Sequence, residues 1–487
     1  MKKLVVVNHP SDWHAHVSGV DVVSVRSYLT DPSYHDMRNV RVFNLSRNYW
    51  YQSSGYYVSL LAEARGHKVI PSVTTIQDLK SASIVRTMSE DLDTMIQHKL
   101  SRLKSNKFEL SIYFGKNLSP RYDELSHKLY GLFQAPLMRA HFIFQRKWIL
   151  QSITPISAKD IPESHLLFVQ KAAGAYFGRR HYERPRAKKS PYDLAILVND
   201  DDPTAPSNKP ALQRFATAGE RAGFDVDFIT KADYDRLPEY DALFIRETTA
   251  VGHHTYRFAR TAWKEEIPCL DDHLSIMRCA NKVYLAETLE RGHLPIPKTL
   301  IVHKENRDAV AGCFGRFPIV LKQPDSSSSK GVKKVADEIE LKIELDRLLS
   351  DSDLVIAQEF IPTPFDWRIG VLEGRALYAC KYFMAPGHWQ VLNWKKSGQA
   401  GTVETIAVEE APKAVIEAAV KAASLIGSGF YGVDLKEQNG RVYVIEVNDN
   451  PNVDAGVEDR VIGTQLYDDI IGYLRRGVDA VYKTAPL

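Results

Sequence analysis

Three oxygen-bearing side chains near the C-terminus fall in a pattern that could hold a metal ion. Tyr431-Gly432-Val433-Asp434-Leu435 and Val442–Asn448 read as strands, and Gln438-Asn439-Gly440 between them is a hairpin signal. By two-residue alternation Val444, Glu446 and Asn448 share one face, and Tyr443, Ile445 and Val447 the other. A two-residue loop, Asn439-Gly440, sets Asp434 opposite Ile445 and away from Glu446. A three-residue loop with Gly440 in the left-handed position sets it opposite Val444, on the Glu446 side, and the metal chemistry requires this second register. Two carboxylates and an amide oxygen then make a hard oxygen site, the partial cage that Mg²⁺ (or Mn²⁺) completes with phosphate oxygens and water. Otherwise the same residues are a satisfied polar sheet edge.

Upstream lie residues suited to a nucleotide. The apolar run Phe317–Leu321 ends in Lys322 and enters Asp325-Ser326-Ser327-Ser328-Ser329-Lys330-Gly331-Val332. Serine hydroxyls, backbone N–H groups and lysines can wrap phosphate oxygens, although most serine-rich loops are solvated connections. Leu354–Ala357 reads as a strand running into Gln358-Glu359-Phe360-Ile361, which can offer donors and acceptors to an adenine edge. Asp366-Trp367-Arg368 puts an acid and a guanidinium on one face, for a ribose hydroxyl and for a phosphate or carboxylate respectively. Alone, each segment reads equally as a core strand or a surface ion pair.

The elements that must position these residues change character along the chain. Up to residue 178 the pattern is α/β: strands at Lys3–Val7 and Val40–Leu45, a helix at Tyr56–Arg65 stopped by Gly66, a helix around Ile84–Leu103, a strand around Phe108–Phe114, a helix at Tyr122–Phe133, a strand-like run at His141–Ile153 and a helix at Glu163–Tyr176. Asn44–Tyr51 follows a strand and could be a second substrate-binding loop or an aromatic surface loop. Residues 179–191 are basic with prolines and read as a linker. The chain restarts with a strand at Asp193–Val198, a helix at Pro210–Ala222 and strands at Asp225–Ile229 and Asp241–Ile245, a small parallel-sheet domain over 192–280. From 281 to 487 strands become mixed and carry the chemistry.

Several classes are set aside. The 487 residues include 63 basic and 60 acidic side chains, a net charge of +3, too balanced to expect nucleic acid as a partner. The four cysteines form no CxxC pair, against a disulfide framework or zinc site. The N-terminal apolar run stops at Asn8-His9-Pro10, too short for a signal peptide, and no stretch approaches the ~20 apolar residues of a membrane span. A cytoplasmic location without a membrane partner is expected. Gly427-Ser428-Gly429-Phe430-Tyr431-Gly432 spells GxGxxG but follows a helix and precedes a strand, the wrong order for a dinucleotide loop. His14-Ala15-His16 is expected to be a surface or core pair, and Asp200-Asp201-Asp202-Pro203 a solvated turn.

The order of these parts resembles the ATP-grasp superfamily, most closely its RimK-like glutamate ligases. The resemblance runs from about residue 192 through Cys279–Lys282, Leu294–Thr299, Ile319–Lys322, Ser326–Val332, Gln358–Ile361, Asp366–Arg368, Asn393, Lys395–Gly398, Val433-Asp434 and Glu446–Pro451. The residues before 179 resemble an extra domain attached to some RimK-like proteins. The resemblance implies a multidomain α/β and α+β chain: an ATP-grasp fold preceded by a small parallel-sheet domain and an N-terminal α/β domain. It implies Lys282 and Lys322 on ATP phosphates, with Ser327, Ser328 and Ser329 in the phosphate loop. Gln358, Glu359, Phe360 and Ile361 line adenine, Asp366 holds the ribose, and Asp434, Glu446 and Asn448 hold Mg²⁺ or Mn²⁺. Arg368, Asn393 and Lys396 stand at the reacting groups. Lys395-Lys396 replaces a more usual His-Arg pair, a departure that bears on the amino-acid substrate. The implied activity joins a carboxylate, activated as an acyl phosphate, to the amine of an amino acid or peptide, with glutamate or a similar amino acid as one substrate and a homo-oligomeric enzyme. A thiol acceptor and a non-catalytic ATP-binding regulator or scaffold stay open as alternatives.

Overall fold

The computed structural model describes residues 2–484 except 16, 18, 36, 38, 39, 90, 91, 179–191, 326–330 and 394–398. The basic linker, His16, Ser327, Ser328, Ser329 and Lys396 therefore lie outside the described residues. The chain forms two compact units: 1–193 with 232–240 and 479–487, and 194–231 with 241–478. Among the described residues, no helix is long and apolar enough to cross a membrane.

The first unit holds a four-stranded parallel sheet in the order Val20–Ser24, Lys2–Val7, Val40–Asn44, Lys68–Ile70. Leu4, Val5, Val6 and Val7 are all fully buried, the continuous apolar run of a strand covered on both faces. A three-stranded antiparallel sheet follows. Here two sequence expectations need correction. The run His141–Ile153 is not one strand but parts of two, Leu137–Phe144 and Trp148–Pro155, with Arg146 at a positive φ of 79° in the turn. The helix around Ile84–Leu103 is two helices, Ala82–Met88 and Asp93–Leu100. Ser89 follows the first, its hydroxyl donating back to the Val85 carbonyl at 2.8 Å, a local bond that competes with helix continuation.

The second unit begins with a sheet in the order Cys269–Leu270, Ala242–Ile245, Tyr192–Leu197, Phe224–Ile229. The Asp202 turn is satisfied: its carboxylate accepts from Thr204 and Thr248, which tie the ends of neighbouring strands together. Two antiparallel sheets carry the rest. One has four strands in the order Thr299–Val302, Val355–Glu359, Ile319–Lys322, Val332–Val335. Its apolar face packs on Leu341, Leu345, Leu348 and Leu349 of helix Glu338–Asp351, an i, i+4, i+7, i+8 stripe. The other has five strands in the order Val403–Ile406, Arg375–Phe383, Phe365–Leu372, Phe430–Gln438, Arg441–Asp449. Helices Lys282–Arg291 and Lys413–Ile426 cover its apolar face. Gly427–Gly432 follows helix Lys413–Ile426 and runs into strand Phe430–Gln438, which begins two residues before the expected Gly432.

Candidate active site

The hairpin that carries the three oxygen side chains adopts neither expected register. Asn439 and Gly440 form a two-residue turn, with φ of 54° and 73°, and Gln438 faces Arg441. Two successive positive φ values are what a turn of this length needs to match the strand twist. The ladder then runs to Leu435 opposite Val444, and a bulge at Ile445 advances it so that Asp434 faces Glu446 directly. A one-residue bulge shifts the phase of alternation, so a two-residue turn still puts both acids on one face. The bulge coincides with a competing partner: the Val444 N–H donates to the Pro295 carbonyl at 2.8 Å. Asn448 joins the pair by donating from Nδ2 to Asp434 Oδ2 at 3.0 Å and to the Gly432 carbonyl at 3.2 Å.

Cations converge on the same face. Arg368 faces Asp434 across the strands and grips its carboxylate through two bonds of 2.5 and 2.8 Å. Bidentate geometry makes this the strong form of an Arg–carboxylate pair. Gly432 leaves the guanidinium stem its room: a Cβ there would lie 2.7 Å from Pro451 Cβ and 3.2 Å from Arg368 Cδ. Lys282 Nζ lies 2.9 Å from Glu446 Oε1. Asn281 caps its helix by accepting from the Val283 and Tyr284 N–H groups, and also donates to Asp325, which precedes the serine loop. The N–H of Lys282 itself donates to the Pro324 carbonyl at 2.8 Å. Lys322 ends its strand 8 % exposed, and burial lowers its ammonium to about 8 although Glu446 pulls the other way. Burial pushes the Glu446 carboxyl up, but Lys282 and Lys322 outweigh it and hold it below the usual value. Lys282, Lys322, Glu446, Ile296 and Ile356 line one cleft, together with Gln358 and Thr299.

The nucleotide residues divide. Gln358 is buried and donates to Thr299 Oγ1 at 3.0 Å. The Glu359 N–H donates to the Lys298 carbonyl at 2.9 Å and its side chain pairs with Arg316. The strand stops there, so Phe360 and Ile361 lie past its ladder; Ile361 is buried and Phe360 packs edge-on to Trp389. Asp366 shares the Arg368 face and is bound by Lys436 and by Thr363 at 3.1 Å. Burial raises the Asp366 carboxyl despite Lys436. Asn393 pairs with Gln399 in a two-residue ladder. Lys436 and Tyr382 went unnoticed in the sequence. Lys436 stands two residues beyond Asp434 on one strand face, so the same alternation that marks Asp434 marks it. Tyr382 faces Asp366 across the strands, with the Arg368 guanidinium 5.2 Å from its ring centroid.

Residues 25–172 match the RimK-like ATP-grasp N-terminal domain and residues 279–474 the RimK-like ATP-grasp domain. The chain therefore carries a RimK-like ATP-grasp domain preceded by a RimK-like ATP-grasp N-terminal domain. A "Probable alpha-L-glutamate ligase" of Psychromonas ingrahamii is 25 % identical over 55 % of this chain and 92 % of its own. The tetrahydromethanopterin:alpha-L-glutamate ligase of Methanocaldococcus jannaschii is 28 % identical over 52 % of this chain and 87 % of its own. The D-alanine–D-alanine ligase from Bacillus anthracis, solved with ATP, superposes with a TM-score of 0.45 at 18 % identity, over 60 % of this chain and 99 % of its own.

Proposed function

We propose that the chain is an ATP-dependent carboxylate–amine ligase that activates an acid as its acyl phosphate and forms an amide. The observation that carries this is that Asp434, opposite Glu446 and bonded to Asn448 and Arg368, adjoins the cleft that Glu446 lines with Lys282 and Lys322. The donor set fits a hard divalent ion: two carboxylates, one held ionised by lysines, and an amide on neighbouring strands. Asp434, Glu446 and Asn448 would hold Mg²⁺ or Mn²⁺, which when bound supplies neutralisation of the transferring phosphoryl charge. Lys282 and Lys322 supply fixed positive charge to the phosphate chain. Lys322 bears a high desolvation cost that an anion beside it relieves. Asp366 would hold the ribose and Phe360 and Ile361 would line the adenine; the serine loop assigned to the phosphates lies outside the described residues.

A carboxylate is a poor acyl donor because its leaving group would be oxide. Phosphorylation of the acid converts that leaving group to phosphate. Arg368 then stabilises the oxyanion that develops as the amine attacks the acyl carbon, phosphate departs and the amide forms. Its two bonds to Asp434 hold the guanidinium in place before substrate arrives, the preorganisation that makes such a charge effective. The family resemblance assigns Asn393 and Lys396 to the reacting end, Lys396 lying outside the described residues. The substrate is glutamate or a similar amino acid, supported by the relatives named as alpha-L-glutamate ligases and by the alpha-aminoadipate–LysW ligase of Saccharolobus solfataricus, 26 % identical over 48 % of this chain and 86 % of its own. The test is ADP release with pooled amino acids and candidate acids, products read by mass spectrometry. Release that requires both an acid and an amine supports the ligase; ATP binding without turnover under every pairing overturns it.

A further inference from the structure

A second group of ligating side chains, distinct from the three oxygen ligands, lies in the parallel-sheet part of the same unit. Strand Ala242–Ile245 leads into Arg246 and Glu247. The backbone here is tightly held. Arg246 donates to Asn450, Ser207 and the Pro206 and Pro451 carbonyls, and Asn450 Nδ2 donates to the Glu247 carbonyl at 2.7 Å. Thr248, next in the chain, is bound to Asp202. Glu247 is thus fixed with its side chain 1 % exposed, and among the described residues neither carboxylate oxygen has a hydrogen-bond partner. A buried carboxylate left in that state is costly, and native structures pair it or give it a metal.

What faces it is a pair of imidazoles. His253 is the N-cap of helix His254–Lys264 and His254 its first residue. Their ring centroids are 3.8 Å apart. Nε2 of His254 lies 2.6 Å and Nε2 of His253 3.9 Å from the same oxygen, Glu247 Oε1. His254 Nε2 is itself buried and, despite that short distance, lacks the alignment a hydrogen bond needs. His253 Nδ1 lies 3.2 Å from Thr255 Oγ1; with Nδ1 as the donor to that hydroxyl, the Nε2 lone pair is free for a metal. An ion pair between Glu247 and a protonated His254 accounts for one oxygen and one ring. It leaves the second oxygen, the poor alignment and the approach of His253 without a cause.

We propose that Glu247, His253 and His254 form a second metal site, which takes one borderline divalent ion of the zinc class. Their three ligand atoms lie within 4.8 Å of one another, as a single ion would require after small adjustment. Two imidazoles and one carboxylate select against Mg²⁺, which prefers oxygen, and suit zinc and its first-row neighbours. Three protein ligands leave a position for water or a substrate group. The site is also wired to the oxygen cluster: Thr249 Oγ1 donates to Asp449 at 2.7 Å and Asn450 to the Glu247 carbonyl, one and two residues beyond Asn448.

The test uses untagged, metal-free full-length chain titrated with Co²⁺ as a spectroscopic probe and then with Zn²⁺. One equivalent of cobalt should give a visible ligand-field band of low coordination number, and zinc should displace it. His253→Ala, whose imidazole is partly exposed and whose loss threatens the fold least, should weaken cobalt binding by ~10-fold or more, and His254→Ala likewise. Glu446→Gln should keep the band, because the hard oxygen site is not its source. Absence of the band at stoichiometric cobalt overturns the proposal. So does a band unchanged in both histidine variants, or one abolished by Glu446→Gln alone. Circular dichroism of each variant separates loss of the site from loss of the fold.

Discussion

Two strand-end regions carry a similar wealth of polar residues, and they behave differently. In the first unit, the loop after strand Val40–Asn44 binds itself. Asn44 donates to the Gly55 carbonyl at 2.7 Å and Ser59 at 2.9 Å, Ser46 donates to Asn44 at 2.6 Å, and the Tyr49 hydroxyl donates to the Asn44 carbonyl at 2.6 Å. Only Trp50 and Tyr51, about two-thirds exposed, point their rings outward. In the second unit, the cleft concentrates charged residues, and among the described residues Lys322 has no carboxylate bonded to it as closely as Lys282 or Arg368 has. We propose that the first unit's loop, whose polar groups are mostly engaged within it and whose Arg47 is paired with Asp12, is scaffolding. A cleft that gathers cations and carboxylates at a desolvation cost is poised for a charged ligand.

The sharpest way to break this contrast is Glu446→Gln. It removes a charge from the oxygen set and leaves Lys282 without its carboxylate. Acid-dependent ADP release should fall by roughly 10³-fold or more, about 4 kcal/mol of barrier; near-normal turnover would rule out the metal assignment. Arg368→Ala should cost about 10²–10³-fold in kcat, the usual loss when a preorganised charge-stabilising donor is removed. Were the loss confined to KM, Arg368 would be a binding residue only.

Lys322 gives a prediction in stability. It ionises near pH 10.5 unfolded and near 8 folded. Folded protein therefore binds fewer protons between those values, so the destabilisation is full below about pH 8 and fades as pH rises toward 10.5. Lys322→Met, apolar and of similar length, should stabilise the ligand-free chain by up to about 3 kcal/mol at pH 7, and the gain should shrink toward pH 10. A loss of stability at pH 7, read from urea midpoints, would show that Glu446 needs the lysine more than burial penalises it. At the small end, Asn44→Ala should destabilise by about 1–2 kcal/mol through its lost bonds while leaving kcat and KM for ADP release unchanged. A changed KM for either substrate would move that loop from scaffold to site.

Much of the second unit was legible because chemistry and periodicity agree there. The apolar runs ending in Lys322 and Gln358 had to be strands, and Asp366 with Arg368 had to share a face. The hairpin shows the limit. Asn439-Gly440 announced its turn, but the bulge at Ile445 depends on Val444 bonding to Pro295, about 150 positions away, and no local pattern reveals that. The reading reached the right face through the wrong register. The run His141–Ile153 failed for a related reason: a three-residue turn without glycine or proline gives no local stop signal. Glu247 with His253-His254 stayed hidden because five residues of turn separate ligands that only the fold brings together.

Whether Asp434, Glu446 and Asn448 jointly hold a divalent ion beneath bound nucleotide is decided by Mn²⁺ electron paramagnetic resonance. Titrated with Mn²⁺ in the presence of a non-hydrolysable ATP analogue, wild-type chain should remove free Mn²⁺ signal stoichiometrically, and folded Asp434→Asn and Glu446→Gln chains should each lose that binding by at least about tenfold. Equal Mn²⁺ uptake by wild type and both variants would contradict the account.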